Sequence, residues 1–175
     1  MSPELTIIMP KTSPEASAPD TSRPVQPEVA ASTFYHVLDG QRRITIPREW
    51  RAMIGKGELM LVIPDVRKKR LTILLPSLTR AIREKTRGGD DEVFSEEADS
   101  ADDLFAQCDN ISIDDAGRVK INSRLLDFAG ITDNVMLKGG GRRIHLYAID
   151  KAQAKEKPVD TEALERALAK WGLRK

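Results

Sequence analysis

The sequence predicts an α+β fold made of two tandem pseudo-repeats packed on each other, with connecting helices and a C-terminal helix. Three observations predict it. The stretch from Leu38 to Pro47 reads as strand, turn, strand, and it returns at Ile113 to Asn122 with an offset of 75. Both copies share a sequel: a short amphipathic helix closed by glycine, then two more strands. A single unit of this size holds too little core to stand alone, so two should pack together.

The chain has 175 residues, 40% of them hydrophobic, which suits one or two small domains. Residues 1–32 hold six of the ten prolines and are expected to form a disordered tail, because they cannot bury enough apolar surface to offset ordering entropy. No apolar run approaches the roughly 20 residues of a membrane span, and Leu5 to Met9 is too short for a signal sequence. Cys108 is the only cysteine, so a disulfide framework is excluded and a reducing cytosol is the natural setting.

The first repeat occupies residues 33–87. Tyr35 to Leu38 is a short strand. Asp39-Gly40 is a turn dipeptide, in which the aspartate bonds the backbone two residues on and the glycine accepts a positive φ. Arg43-Ile44-Thr45-Ile46 alternates as a half-buried strand, and Pro47 stops it. The tip is expected to present Gln41, Arg42 and Arg43 on a two-stranded support. Trp50, Met53 and Ile54 then share a helical face, with Gly55 at its end. Strands Leu59–Ile63 and Arg70–Leu74 follow, and a helix over Ser77–Lys85 leaves the unit.

Residues 88–109 form an acidic connector. Gly88 to Asp91 reads as a loop, and Ser95 to Cys108 as a helix with Ala98, Leu104 and Phe105 on its apolar side. Residues 90–110 carry nine acids and no base, without the alternating ligands of a calcium loop, and are read as a solvated surface. The second repeat spans residues 110–157. Asp114, Arg118, Val119 and Ile121 stand where Asp39, Arg43, Ile44 and Ile46 stand in the first. Leu125, Phe128 and Ala129 repeat the helical face, and Gly130 ends it. Val135–Leu137 and Arg143–Tyr147 are its last strands, and Asp150–Lys157 reads as helix. Residues 158–175 form an amphipathic helix with Asp160 as N-cap, Leu164, Leu168 and Trp171 as its stripe, and Gly172 at its end.

Little in the chain suits catalysis. His36 and His145 alternate with apolar strand residues and read as outward polar positions. Cys108 lacks an adjacent base and reads as a small core residue. Gly139-Gly140-Gly141 lacks the Lys-Ser/Thr pair of a phosphate loop and reads as a hairpin turn. The sequence therefore predicts no enzyme, no cofactor, no metal site, no small-molecule substrate and no membrane partner. The paired arginine turns remain. A hairpin tip fits a major groove about 12 Å wide, and arginine pairs with phosphate or guanine. Arg67, Lys68, Lys69, Arg70 and Arg142 add positive charge at other tips. Residues 34–89 carry a net +8 and residues 111–150 a net +1. With Asp115 opposing the second arginine, the first turn is expected to supply more of the sequence-independent affinity and the second more of the positioning.

The duplicated Asp-x-x-x-Arg turn, followed by apolar-x-apolar and a short helix ending in glycine, resembles the MraZ family within the AbrB-like swapped-hairpin superfamily. Leu104 to Cys108 leading to Ile113-Asp114, Ala129 to Thr132 with Val135, and Gly139 to Tyr147 resemble further segments of that family. The match covers about residues 34 to 150. The resemblance implies an AbrB-like swapped-hairpin β-barrel. It implies a bacterial repressor-like regulator of the division and cell-wall gene cluster, cytoplasmic and nucleoid-associated. It also implies a ring-shaped homo-oligomer of more than two protomers docking on repeated boxes of double-stranded DNA. By motif position Arg43 and Arg118 would contact DNA, joined by Arg42 and Gln41, while Asp39, Gly40, Asp114 and Gly117 form the turns. The sequence departs from the family pattern at Arg42, where a glycine is usual and whose turn Gly40 is expected to re-form, at Gln41 for lysine, and at Asn122 for proline. A ring scaffold without DNA binding and an AbrB-type antitoxin are the rival readings; the latter usually carries one motif.

Overall fold

The computed structural model describes residues 29–87, 96–150 and 158–173. Residues 1–28 of the disordered tail expected over 1–32, the Gly-Gly-Asp-Asp loop and residues 151–157 of the helix expected over 150–157 lie outside the described residues. The element order is β1 Thr33–Val37, β2 Arg43–Thr45, α1 Arg48–Ile54, β3 Met60–Asp65, β4 Arg70–Leu74, α2 Pro76–Arg87, α3 Glu96–Ala106, β5 Asp109–Ile111, β6 Arg118–Lys120, α4 Ser123–Ala129, β7 Asn134–Gly139, β8 Arg143–Ala148 and α5 Thr161–Lys170. The fold is α+β, with every strand pair antiparallel.

Six strands form one sheet in the order β1-β7-β8-β4-β3-β5, and β2 pairs only with β6 in a separate ribbon. Only the hairpins β3–β4 and β7–β8 lie within a repeat; β1 pairs with β7, β5 with β3, β2 with β6 and β4 with β8 across the repeats. Each repeat thus lends its first two strands to the other. This corrects the expected two-stranded support of each turn, because β1 and β2 do not ladder. Val37 opposite Asn134 and the Leu38 N–H on the Asp133 carbonyl (2.7 Å) hold the end of β1 to β7, so the strands part at the turn. No closed barrel forms among the described strands. The sheet is open, with β1 and β5 at its edges. The three-residue ribbon strands turn at once into α1 and α4, leaving little length to bridge those edges.

The ribbon packs its Ile44 and Val119 into one core with Leu71, Ile73, Ile144 and Leu146 of the sheet, all at 0% exposure. Trp50 of α1 closes one side. Its Nε1 donates to the Ala31 carbonyl at 2.9 Å, and its ring meets Phe34 edge-on at 5.0 Å. Leu125, Leu126 and Ala129 of α4 are the buried counterparts in the second repeat. Gly55 and Gly130 follow these helices with φ of 74° and 67°, as their positions predict. Asn122 caps α4 through its side chain, accepting the Arg124 N–H at 2.9 Å, whereas Pro47 offers α1 no side-chain cap.

Ala30 corrects the end of the expected tail, since it is buried and bridges to Gly141. Gly139 permits that crossing, because a Cβ there would lie 2.5 Å from the Ala30 carbonyl oxygen. The triple glycine is thus a hairpin turn crossed by backbone. His36 corrects its expected outward placement. It stands opposite Val135, which is fully buried, and so lies on the core face, where burial lowers its pKa. His145 does face outward, opposite Thr72. Cys108 is half-buried rather than part of the core, with burial raising its thiol pKa. In α3, Phe105 is half-buried but Leu104 is exposed. Asp160 caps α5 by accepting the Ala163 N–H at 2.9 Å, and α5 buries none of its residues. No helix among the described residues is long and apolar enough to cross a membrane.

Candidate nucleic-acid interface

Each arginine turn is closed by its own aspartate. Asp39 Oδ1 accepts the N–H groups of Gln41 and Arg43, both at 2.9 Å, and its Oδ2 accepts Arg43 Nε at 2.6 Å. Asp114 repeats this set with Ala116 at 3.0 Å, Arg118 N at 2.8 Å and Arg118 Nε at 2.9 Å. An aspartate at the first position with arginine four residues on is what this lock requires: a short carboxylate reaches two backbone donors while its second oxygen orients a guanidinium. Both carboxyls are held below the usual range, first by the backbone N–H of the following arginine, which with that arginine's side chain and charge outweighs the opposing desolvation. They stay ionised at neutral pH and aim their arginines.

The turns depart from each other at their third residue after aspartate. Gly117 takes φ of 80° there, and Arg42 takes 57°. Gly40, expected to supply the positive φ, does not adopt one. The reason is positional: the backbone reverses immediately before the arginine, whichever residue stands there. Arg42 then reaches across to Asp127 of α4, Nη1 to Oδ1 at 3.4 Å. Gly117 is covered instead by the Arg51 guanidinium of α1, whose Nε donates to the Ile46 carbonyl at 2.8 Å. Asp115 pairs with Lys56 at 3.1 Å, both side chains about 90% exposed.

The ribbon joins these turns. Arg43 faces Lys120, Ile44 faces Val119 and Thr45 faces Arg118. Paired residues share a face and alternate residues return to it. Ile44 and Val119 point into the core, so Arg43, Thr45, Arg118 and Lys120 share the outer face. The two cross-strand pairs stand about 7 Å apart along the ribbon. The Arg43 and Arg118 side chains are 25% and 33% exposed. The structure therefore brings together Arg43 and Arg118, places Arg42 and Gln41 at one end of the ribbon, and adds Lys120. Sequence reasoning missed Lys120, because its place opposite Arg43 depends on pairing between repeats; its polar slot in the Arg-Val-Lys alternation was the only local signal.

A cleft of about 720 Å³ runs beside the first turn, lined by Gln41, Arg42, Asn110, Ser112, Lys120 and Asn122 among others. It is polar and open, suited to solvated contacts along a charged backbone rather than to an enclosed reaction.

No protein-family model matches the chain. It is 29% identical over 146 residues to the transcriptional regulator MraZ of Caulobacter vibrioides, covering 81% of this chain and 87% of that protein. It is 28% identical over 146 residues to the MraZ of Phenylobacterium zucineum, covering 81% and 85%. It is 27% identical over 137 residues to the MraZ of Anaeromyxobacter dehalogenans, covering 73% and 92%. These likenesses run across both repeats and, with the duplicated Asp-x-x-x-Arg turn, support a transcriptional regulator similar to the MraZ proteins over most of the chain.

Proposed function

We propose that this chain is a sequence-specific DNA-binding transcriptional regulator that lays the outer face of the β2–β6 ribbon against DNA. The observation that carries the reading is the convergence of Arg43, Arg118 and Lys120 on that face, with the arginines oriented by ionised aspartates. A two-stranded ribbon is narrow enough to enter the major groove. Arginine has five N–H donors, and the aspartate takes Nε, so the far end of each guanidinium can meet phosphate or the O6 and N7 of guanine. The cross-repeat pairing supports a swapped-hairpin reading of the fold. Arg42 and Gln41 extend the contact at one end.

By the family's pattern, the chain acts as a cytoplasmic, nucleoid-associated and repressor-like protein on the division and cell-wall gene cluster. Its protomers close into a ring of more than two, so that successive ribbons meet repeated boxes. The exposed edges β1 and β5 and the uncovered face of α5 are surfaces such a ring could bury.

Mobility shifts with DNA upstream of the chain's own gene test the reading. Affinity should fall with salt at a log–log slope of about −0.9 per phosphate neutralised. Arg118→Ala combined with Lys120→Ala should weaken binding to all sequences and flatten that slope. No shift even at low salt would favour a ring scaffold without DNA binding. A clean monomer by light scattering at micromolar concentration would remove the ring.

A further inference from the structure

On the side of the core opposite the ribbon, the outer face of the sheet gathers a second set of cations. Leu71, Ile73, Ile144 and Leu146 point into the core, so their strand neighbours Arg70, Thr72, Arg143 and His145 point away from it. Residues 63–74 and 138–147 together hold seven Lys/Arg and one carboxylate, Asp65. Between them lies a cleft of about 590 Å³, lined by Arg67, Arg70, Thr72, Arg143, His145 and Asp65 among others.

The cleft is preorganised. Asp65 Oδ2 accepts Arg70 Nε at 2.9 Å, the Tyr147 hydroxyl accepts from the same guanidinium, and the Tyr147 ring lies 5.2 Å from it. Thr72 Oγ1 lies 3.0 Å from His145 Nδ1. The His145 pKa is pushed down to about 4, first by burial and then by the charges of Arg70 and Arg143; Lys68 acts the same way and Asp65 opposes. Lys138 faces His145 from β7. A neutral imidazole among arginines with one carboxylate is what a site of positive potential awaiting an anion would hold.

We propose that this cleft binds a compact phosphorylated anion, making it an anion site separate from the DNA-facing ribbon. Phosphate matches the planar fork of arginine and accepts from hydroxyl and imidazole donors. The ligand must be small, because the Arg70 side chain is only 11% exposed. A duplex lying across the face would meet the exposed Arg67 and Arg143 without reaching it.

The chain's two histidines make the test selective. Their imidazoles are titrated by NMR on the full chain, alone, with inorganic pyrophosphate, and with a short DNA duplex. Pyrophosphate should raise the His145 pKa by about one pH unit or more, since an anion within bonding reach favours the imidazolium. His36, on the core face, should not move. Arg67→Ala with Arg143→Ala, both exposed positions, should weaken pyrophosphate binding by roughly tenfold or more while leaving thermal stability in place. Arg118→Ala on the ribbon should leave the His145 response unchanged. The proposal fails if His145 does not respond, if both imidazoles shift together as under a general salt effect, or if the duplex moves His145 as far as pyrophosphate does, which would assign the cleft to DNA.

Discussion

The turns at Asp39–Arg43 and Asp114–Arg118 make the same five closing bonds with different residues at the point of reversal. In the second, Gly117 is buried and its carbonyl accepts the Ile46 N–H at 2.9 Å. In the first, Arg42 is exposed, and its carbonyl accepts the matching Ile121 N–H at 3.5 Å. Each turn thus clamps the strand leaving the other, and the glycine clamp is the tighter. The difference also redistributes charge. By sequence the first tip is the more basic. In the fold, Asp127 comes to Arg42, while Arg51 and Lys56 come from the first repeat to the second turn. Charge counted along the chain is therefore evened out between the tips by the exchange of strands. This narrows the charge asymmetry from which the first turn was expected to supply more of the sequence-independent affinity.

The largest effect that would break the likeness is loss of either aspartate. Asp39→Ala or Asp114→Ala removes the acceptor of two backbone N–H groups and of an arginine Nε, and should lower the melting temperature and weaken DNA binding together. The pH dependence has a fixed sign. Both carboxyls have folded pKa values below their unfolded ones, so the unfolded chain binds protons more readily. The stability they supply is present above about pH 4 and is lost as pH falls through the folded values. Asp39→Asn with Asp114→Asn should flatten the acid limb of a melting-temperature profile. An unchanged limb would mean that the locks add nothing to the fold.

The next effect sharpens the comparison. A Cβ on Gly117 would lie 2.1 Å from Arg51 Cζ, and the residue holds a positive φ. Gly117→Ala should cost about 1–3 kcal/mol, combining left-handed strain with displacement of the Arg51–Ile46 bond. The reverse exchange, Arg42→Gly, relieves strain of about 1–2 kcal/mol but loosens the unfolded chain and deletes an exposed ion pair. It should leave stability unchanged or raise it by up to about 1 kcal/mol, while reducing DNA affinity. Denaturant melts of both variants measure this, and equal losses from the two would show that the third turn position is not governed by φ.

The sequence was legible wherever structure is decided locally. The turn aspartates, the Gly55 and Gly130 stops, the Asp160 cap and the offset between repeats all rest on residues a few positions apart, and each is found where it was expected. Partner choice was not legible. Period-two alternation tells which residues share a face but not which strand lies beside them, so the residues of β2 looked like half of a hairpin with β1. Lys120 was missed for the same reason. His36 shows the other limit: alternation with Phe34 put both on one face, and only pairing with Val135 and Leu137 decides that this face is the core. Arg42 inherited the reversal that Gly40 was expected to take because the turn is fixed from the arginine end, where Asp39 grips Arg43.

The smallest effect tests the evening of charge itself. Asp115 and Lys56 are both almost fully exposed, and pairs of this kind contribute about 0–1 kcal/mol. Asp115→Ala should therefore leave the melting temperature almost unchanged. Its consequence lies in DNA binding: it removes a negative charge beside Arg118 and releases Lys56 to meet phosphate. Affinity at low salt should rise, by no more than about 1 kcal/mol per site, and the gain should shrink toward physiological salt as the Debye length falls to about 8 Å. Lys56→Ala should do the opposite, and the double variant should return close to the wild-type affinity, because one charge of each sign has been removed. If Lys56→Ala is silent while Asp115→Ala still strengthens binding, the repulsion seen in the sequence is real and the lysine does not offset it. If neither variant changes affinity at low salt, the second turn stands away from the phosphates, and the ribbon engages DNA from the Arg42 end alone.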